Sequence, residues 1–198
     1  MSRTRSGTLR IVGGAHRGRR IQIPPNSEVR PTADRVREAI FDVLGSVRGL
    51  QVLDLFAGSG AMGLEALSRG CTRCVFVEGD KKVADVLRAN IQTLAYDDGS
   101  AEVLVADYRR AAERLMERTG EGGHGARFEL FFVDPPYTML PEVEVMLRPL
   151  LPALLSDKGL VVVEGPRSVA VDVGLDPVFD RTYGHTRVVM LEMRRNSP

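Results

Sequence analysis

From position 51 onward, short apolar runs alternate with longer amphipathic stretches. The runs are rich in Val, Leu and Phe and about five residues long, which is typical of buried strands. The stretches between them carry apolar residues at helical spacing. This alternation predicts βαβ units and a parallel sheet with helices on both faces. The predicted strands are Val52–Phe56, Cys74–Glu78, Glu102–Ala106, Leu130–Asp134 and Leu160–Glu164, and the predicted helices lie near Ala61–Ser68, Lys81–Leu94, Arg109–Arg118 and Glu142–Leu155.

The last two apolar runs break this pattern. Val178–Thr182 and Arg187–Met193 are joined only by Tyr183-Gly184-His185-Thr186, which is too short for a crossover helix. We therefore expect these two runs to form an antiparallel hairpin at the edge of the sheet.

The N-terminal segment has a different character. Two β-rich pieces between Leu9 and Ile23 surround glycine-containing turns, which predicts a hairpin that carries several arginines. A linker rich in proline follows, and a helix is predicted to begin after Thr32 as its N-cap and to end at Gly45. The apolar residues of this helix are Ala33, Val36, Ile40, Val43 and Leu44. We divide the chain into a hairpin arm at residues 1–30 and a main domain at residues 31–198.

The charge of the chain is segregated along its length. With 198 residues, 43% hydrophobic and 27% charged, the composition is that of a globular protein. The net charge is only +1, yet residues 1–37 hold nine arginines and sum to +7, so the remainder sums to −6. Arginine binds phosphates through two hydrogen bonds at once and stacks on bases. The arm is therefore predicted to bind a polyanionic partner.

Two other classes of protein are disfavoured by the sequence. No apolar run approaches the ~20 residues that span a bilayer, and the N-terminus lacks the apolar core of a secretory signal. Cys71-Thr72-Arg73-Cys74 is a single CxxC without the further ligands that zinc requires. We expect reduced, structural thiols, no metal, and a cytoplasmic location.

A glycine-rich loop follows the first strand of the main domain. Gly58, Gly60 and Gly63 form a G-x-G-x-x-G motif, which on its own suggests a dinucleotide and a nicotinamide-dependent oxidoreductase. Asp54 argues against a dinucleotide, because a pyrophosphate binds helix N–H groups away from carboxylates. S-adenosylmethionine carries an ammonium and a sulfonium, which an acidic residue attracts.

Two further acidic residues end the next two strands. Glu78 is placed to accept hydrogen bonds from ribose hydroxyls, and Asp107 to accept one from an adenine amino group. As alternatives, Asp54 could cap a helix, Glu78 could be solvated and Asp107 could form an Asx turn. The predicted cofactor residues are Asp54, Phe56, Gly58, Ser59, Gly60, Glu78, Asp107 and Tyr108.

Asp134-Pro135-Pro136-Tyr137 follows a buried strand and has the groups needed to hold an exocyclic amino group. The carboxylate of Asp134 points into the crevice at the strand end. The two prolines have fixed φ and no N–H, so their carbonyls are held in place. Tyr137 offers a face on which a base can stack. These four residues are the predicted catalytic residues; the alternative is a turn that starts a helix.

The order of these motifs resembles that of class I S-adenosylmethionine-dependent methyltransferases that act on amino groups. Leu9–Gly14, Arg17-Gly18-Arg19 and Arg30–Glu38 resemble the bacterial 16S ribosomal RNA guanine-N2 methyltransferases, and the resemblance extends from about Leu9 to Arg194. It implies a Rossmann-like α/β fold whose seven-stranded sheet has its last strand antiparallel, preceded by a small hairpin and helix. It also implies S-adenosylmethionine as cofactor and, as substrate, one guanine of 16S rRNA within the small ribosomal subunit.

The resemblance and the charge of the arm together predict the RNA contacts, and we expect the protein to be a monomer. The predicted RNA-binding residues are Arg10, Arg17, Arg19, Arg20, Arg30, Thr32, Arg35 and Arg37.

Other substrates and functions stay open at this point. Enzymes that methylate adenine N6 or cytosine N4 in DNA, or a glutamine in a protein, share the Pro-Pro-Tyr motif. The arginine arm disfavours a protein substrate, and the lack of a separate target-recognition domain disfavours sequence-specific DNA. A non-catalytic RNA-binding module is a further alternative, against which the intact Asp134 argues.

Overall fold

The computed structural model describes residues 7–25, 33–96, 98–120 and 127–193. Within these ranges the elements follow the order that the hydrophobic pattern predicts. They are β1 (Thr8–Arg10), β2 (Arg20–Gln22), α1 (Ala33–Leu44), β3 (Gln51–Asp54), α2 (Ala61–Ser68), β4 (Arg73–Glu78), α3 (Lys81–Thr93), β5 (Ala101–Val105), α4 (Tyr108–Gly120), β6 (Phe128–Val133), a short 3-10 helix (Tyr137–Met139), α5 (Leu140–Leu154), β7 (Leu155–Pro166), β8 (Asp176–Tyr183) and β9 (Thr186–Glu192).

Seven of the strands form one sheet in the order β5-β4-β3-β6-β7-β9-β8. The first five are parallel, and β9 runs antiparallel to both β7 and β8. The predicted seven-stranded sheet with its last strand antiparallel is thus confirmed. The chain winds outward from β3 through β4 to β5 and then returns to the other side of β3 as β6. This reversal is a topological switch point, where α/β sheets bind their ligands.

Helices cover the sheet on both faces, as the alternation predicted. Phe132 points into a core layer shared with α1, α2 and α3, whereas its neighbour Phe131 points into the layer shared with α4 and α5. Both side chains are 1% exposed. Successive residues of a strand point to opposite faces, so a central parallel strand must be apolar throughout.

The N-terminal hairpin of β1 and β2 packs onto the same face as α1, α2 and α3. Its strands pair antiparallel with Leu9 opposite Ile21. Ile11 and Ile21 are 0% and 1% exposed and belong to the core layer beneath these helices. The hairpin therefore shares its core with the rest of the chain, and the division of the chain at residue 30 stays a prediction.

The turn of the hairpin is attached to the end of α2. The N–H of Val12 donates to Oε2 of Glu65 at 2.8 Å, and the N–H of Ala15 donates to the carbonyl of Ser68 at 2.7 Å. The Ser68 hydroxyl donates to the carbonyl of Gly13 and accepts from the N–H of His16. The last carbonyl groups of a helix need such partners, so the hairpin loop acts as a cap for α2.

A buried ionic network joins the hairpin to α1 and α2. Glu65 is 0% exposed and accepts from Nε of Arg69 at 2.7 Å. Nη2 of Arg37 donates to the carbonyl of Arg10 at 2.6 Å and to Oδ1 of Asp34 at 2.8 Å. Nε of Arg37 lies 3.5 Å from Oε2 of Glu65, an ion pair too poorly aligned to be a hydrogen bond. Breaking a buried network of this kind leaves an uncompensated charge.

Three details differ from the predictions. Strand β7 begins at Leu155 rather than Leu160, because Leu155 pairs with Phe128 across a register shift. Val43, predicted on the apolar face of α1, is 45% exposed. Helix α4 continues to Gly120, two residues beyond the predicted end at Arg118, and residues 121–126 lie outside the described part of the chain. Among the described helices, none is long and apolar enough to cross a membrane.

Two glycines of the hairpin loop give a test of this docking. Gly14 and Gly18 both have positive φ, +74° and +87°. A Cβ at Gly14 would lie 1.8 Å from the carbonyl oxygen of Ser68, whereas a Cβ at Gly18 would have no atom within 4 Å. We expect Gly18→Ala to lower the free energy of unfolding by about 1–2 kcal/mol, the cost of the left-handed conformation. Gly14→Ala should cost a further ~1–3 kcal/mol, because the loop must move off α2.

Urea denaturation of both variants measures this difference. Equal losses of stability in the two variants would contradict the docking of the loop on α2.

Candidate cofactor and substrate site

A cleft of ≈ 890 Å³ opens at the carboxyl ends of the parallel strands, beside the switch point between β3 and β6. It brings together nearly all the residues that were predicted from separate parts of the sequence. Of the predicted cofactor residues only Gly60 does not line it. The predicted residues that do are Asp54, Phe56, Gly58, Ser59, Glu78, Asp107 and Tyr108, together with Asp134, Pro135, Pro136 and Tyr137.

Five acidic residues line the cleft: Glu164 near the end of β7, and four others at the ends of four adjacent strands. In the sheet order β5-β4-β3-β6, the residues at or just after the strand ends are Asp107, Glu78, Asp54 and Asp134. Parallel strands end at one edge of a sheet, so the regular spacing of the strands sets the spacing of the carboxylates. The result is a row of negative charge along the floor of the cleft.

Asp54 is the most deeply buried of the four, at 3% exposed. Its Oδ2 accepts from the N–H of Gly63 in the first turn of α2 at 3.0 Å. Burial raises the pKa of Asp54 to about 7; the Gly63 hydrogen bond opposes the shift, and the charges of Asp134 and Glu78 add to it. A cation in this cleft would relieve both the burial cost and the repulsion.

Glu78 holds the glycine loop through backbone groups. Its Oε2 accepts from the N–H of Gly58 at 2.9 Å, and its Oε1 accepts from the N–H of Asp80 at 2.8 Å. A carboxylate has about four lone-pair sites, so each oxygen can still accept one ligand hydroxyl. Gly58 and Gly60 have φ of +54° and +83°, which makes the loop tight enough to lie against a ligand.

The far end of the cleft is walled by aromatic residues. The rings of Phe56 and Tyr108 are 5.3 Å apart, and the guanidinium of Arg109 lies 4.8 Å from the Tyr108 ring. Tyr108 as a whole residue is 3% exposed, and burial raises the pKa of its hydroxyl. Asp107 is exposed, and its Oδ1 accepts from the N–H of Arg109 at 2.9 Å, so it forms the Asx turn that opens α4. This bond uses only one of the two carboxylate oxygens of Asp107.

Asp134 to Tyr137 forms the opposite wall, directly after β6. Asp134 is exposed, Pro135 is buried, and Tyr137 is half-buried in the short 3-10 helix. The carbonyl of Pro136 accepts from the N–H of Met139 at 2.8 Å. The Tyr137 hydroxyl lies 3.4 Å from Oγ1 of Thr186, which is long for a hydrogen bond between hydroxyls. All four residues of the motif line the cleft, so a carboxylate, two prolines and an aromatic ring border one space.

The predicted RNA-binding arginines fall into two groups. Arg10, Arg17, Arg20 and Arg35 are exposed, as is Arg19, whose Nη2 donates to the carbonyl of Thr93.

Arg37 differs from these, since it is 3% exposed and its guanidinium serves the network around Glu65. A buried side chain with these partners stabilises α1 and the hairpin, so we remove Arg37 from the RNA contacts. Arg30 and Thr32 lie outside the described residues.

Several residues of the site were not predicted. Leu9 and Val36 bring the N-terminal segment to the cleft, and Thr186 brings the start of β9 to Tyr137. Asn90, 1% exposed, donates to the carbonyl of Ser59 in the glycine loop at 2.9 Å. A sequence signal exists for Asn90, because it is a polar residue within the apolar stripe of α3.

The cysteines lie away from this chemistry. Cys71 and Cys74 are buried free thiols. Burial raises the pKa of Cys71 to about 12 and that of Cys74 well above its usual value. Thiols with such raised pKa values stay protonated and unreactive. Within the described ranges, no group of three or more His, Cys, Asp or Glu side chains could hold a metal ion.

Comparison with known proteins agrees with this geometry. The family model described as Conserved hypothetical protein 95 matches residues 9–192. Ribosomal RNA small subunit methyltransferase D of Escherichia coli is 39% identical over 162 residues, which are 80% of this chain and 75% of that protein. The solved structure of yhhF from Escherichia coli is 32% identical, with a TM-score of 0.77 over 95% of this chain and 100% of that one.

A more distant structure, that of SMU.776 complexed with SAH, shares the fold with a TM-score of 0.68 at 16% identity. The match covers 89% of this chain and 54% of the SMU.776 chain. The extent of the family match and the identity to curated relatives show that the chain belongs to the Conserved hypothetical protein 95 family, the family of the ribosomal RNA small subunit methyltransferases D.

Proposed function

We propose that this protein transfers a methyl group from S-adenosylmethionine to the exocyclic N2 of one guanine in 16S rRNA. Methylation of small-subunit rRNA is the activity named for its curated relative. The observation that carries the proposal is the meeting of Asp134-Pro135-Pro136-Tyr137 with the row of carboxylates and the glycine loop in one cleft. One part of this cleft suits a cationic nucleoside, and the other suits a planar amino group.

The chemistry of the cleft fits S-adenosylmethionine, which supplies an electrophilic methyl group when bound. Asp54 would hold its ammonium group, since a buried carboxylate at the switch point attracts a cation. The remaining lone pairs of Glu78 would accept the ribose hydroxyls. Asp107 would accept from the adenine amino group, with Phe56 and Tyr108 packed beside the ring. Each of these roles uses a carboxylate that already accepts a backbone N–H.

Asp134 and the Pro135 carbonyl would orient the guanine amino group. If they accept its two hydrogens, the nitrogen becomes pyramidal and its lone pair is directed at the methyl carbon. The nitrogen would form its new bond to the methyl carbon as the bond from that carbon to sulfur breaks, and Asp134 would accept the proton that the nitrogen loses. Orientation of this kind can supply ~7–11 kcal/mol of the barrier. Tyr137 would replace stacking that the base loses when it leaves its helix, worth roughly 1–3 kcal/mol.

The exposed arginines of the N-terminal segment would bind the rRNA backbone next to the cleft. Leu9 and Val36 line the cleft, so the hairpin and α1 border the entrance directly. Arg10 and Arg35 directly adjoin these two residues in the sequence, whereas Arg17 and Arg19 lie in the hairpin turn, at the ends of α2 and α3 that point away from the cleft. Phosphates held there would keep a splayed-out base close to Asp134.

Label transfer from methyl-labelled S-adenosylmethionine tests the substrate. We expect label on the N2 of a single guanine when 16S rRNA or small subunits are offered. Label on an adenine, a cytosine or a protein side chain would contradict the proposal.

Asp134→Ala should reduce turnover by at least about 100-fold, because both the orientation and the proton acceptor are lost. Binding of S-adenosylhomocysteine at pH 8 should stay close to that of wild type, because Asp54 is ionised at that pH in either protein. Asp157→Ala is the control, since it removes an exposed carboxylate near the amino end of β7, away from the cleft. Normal turnover by Asp134→Ala would exclude Asp134 from catalysis.

The raised pKa of Asp54 predicts that cofactor affinity depends on pH. With a pKa of about 7 in the folded protein, Asp54 is mostly protonated at pH 6 and mostly ionised at pH 8. A cationic ligand binds the ionised form, so affinity rises with pH and levels off above about 7. We expect S-adenosylhomocysteine, which carries the same ammonium, to bind about tenfold more weakly at pH 6 than at pH 8.

Calorimetric titration of wild type and Asp54→Asn at both pH values checks this assignment. The Asn variant keeps an acceptor for the Gly63 N–H and should bind weakly and equally at the two pH values. A tenfold dependence that persists in Asp54→Asn would assign the titration to another group.

The arginine surface predicts a salt-dependent affinity for RNA. Each phosphate neutralised by an arginine contributes about 0.7–0.9 to the slope of log affinity against log salt concentration. Arg17→Ala should lower the slope by about that amount, and so should Arg20→Ala. Arg114→Ala is the matched control, because it removes an exposed arginine from α4, which packs on the other face of the sheet. Equal slopes for wild type and the hairpin variants would rule out the arm as an RNA contact.

A further inference from the structure

We propose that Asn90 is a positioning residue that ties the N-terminal hairpin to the glycine loop, so that a ligand bound in the cleft also stabilises the hairpin. The proposal rests on the proposed function only in taking S-adenosylmethionine or its product as that ligand. It goes beyond the proposed function, which assigns separate roles to the cleft and to the hairpin but does not link them.

The side chain of Asn90 makes three hydrogen bonds, all with backbone groups. Its Oδ1 accepts from the N–H of Gln22 at 2.8 Å. Its Nδ2 donates to the carbonyl of Gln22 at 2.8 Å and to the carbonyl of Ser59 at 2.9 Å. A side-chain amide has two N–H donors, so both are used, one in the hairpin and one in the glycine loop.

The position of Asn90 shows that these bonds matter to the fold around it. The other buried residues of α3 that face the core are apolar, and they are Ala84, Leu87 and Ile91. A polar side chain that is 1% exposed costs free energy unless it is hydrogen-bonded. Its partners lie 68 and 31 residues away in the sequence, in β2 and in the loop after β3. Asn90 is thus a bridge between two segments rather than a local helix contact.

The loop end of the bridge is held from several directions. The Gly58 N–H donates to Glu78, and the Gly60 N–H donates to the carbonyl of Ala57. Leu87 fills the space beside Gly60, where a Cβ would lie 2.4 Å from its Cδ1. Asn90 adds a further contact to this turn by donating to the Ser59 carbonyl. A ligand that orders this turn also orders the amide of Asn90.

The hairpin end of the bridge depends on Asn90 in a different way. The turn of the hairpin is attached to α2 through Glu65 and Ser68, whereas β2 meets α3 through Gln22. Both helices begin at the cleft, α2 after the glycine loop and α3 after Glu78. Because binding linkage is reciprocal, a ligand that stabilises the loop through Asn90 stabilises the hairpin, and RNA held by the hairpin strengthens ligand binding.

Hydrogen–deuterium exchange of the 198-residue chain with and without S-adenosylhomocysteine tests the link. In wild type we expect the ligand to slow exchange in the glycine loop and, by about fivefold or more, in residues 19–23 of the hairpin. In Asn90→Ala the loop should still be protected by saturating ligand, but residues 19–23 should exchange at the same rate with and without it.

Leu94→Ala is the control for lost stability. It truncates an apolar side chain that is 1% exposed, at the residue directly after α3 and four positions after Asn90. It should keep the ligand-dependent protection of the hairpin even where it destabilises the protein as much as Asn90→Ala. Gln22→Ala should also keep it, because Asn90 binds only the backbone of Gln22.

The outcomes separate this proposal from the proposed function. Protection of the loop without protection of residues 19–23 in wild type overturns the role of Asn90 and leaves the cofactor site intact. Absence of any protection of the loop overturns the cofactor site itself. If Asn90→Ala does not fold, Asn90→Ser takes its place, and protection of residues 19–23 by the ligand is compared between Asn90→Ser and wild type. Hairpin protection that persists in Asn90→Ser or appears equally weakened in Leu94→Ala also overturns the proposal.

Discussion

The convergence of carboxylates at one edge of the sheet is the constraint on which this structure depends. Parallel strands that start at one edge of a sheet end at the opposite edge, so the side chains at the ends of neighbouring strands lie close together. Asp54 is deeply buried, and the charges of Asp134 and Glu78 raise its pKa further. Backbone N–H groups of the glycine loop and of α2 offset part of this repulsion. A cationic ligand would offset more of it, which makes the cleft selective for positive charge.

An acidic cleft and an RNA substrate impose opposite demands, and the fold meets them by separating the charges. Phosphates are repelled by the row of carboxylates and attracted by the arginines of the hairpin and α1. Both surfaces border the same entrance, through Leu9 and Val36. In the proposed function, the backbone of the RNA would stay on the basic surface while a single uncharged base enters the cleft. The separation of positive and negative charge along the sequence thus becomes a separation between two adjacent surfaces of the folded protein.

The hairpin is held to helices α1, α2 and α3 by polar contacts as well as by its apolar residues. Glu65 and Ser68 bind its turn, Arg37 binds the carbonyl of Arg10, and Asn90 binds Gln22. Hydrogen bonds with defined donors and acceptors fix an orientation, whereas apolar packing alone tolerates small rotations. The surface proposed to bind RNA is thereby set at a defined angle to the cleft, and this is what positioning a base requires.

The sequence by itself determined the order of strands and helices, the terminal hairpin and the acidic residues at the strand ends. These features follow from local periodicity, from turn residues and from the rule that parallel strands end at one edge. None of these requires knowledge of tertiary contacts. Only the tertiary structure decided which polar residues are internal. In the sequence Arg37 cannot be told apart from Arg35 or Arg20. It is buried because folding brings it to Glu65, a residue of α2 that is 28 positions away in the sequence. Asn90 acquires its role in the same way, from two backbone segments that meet it only after the chain has folded.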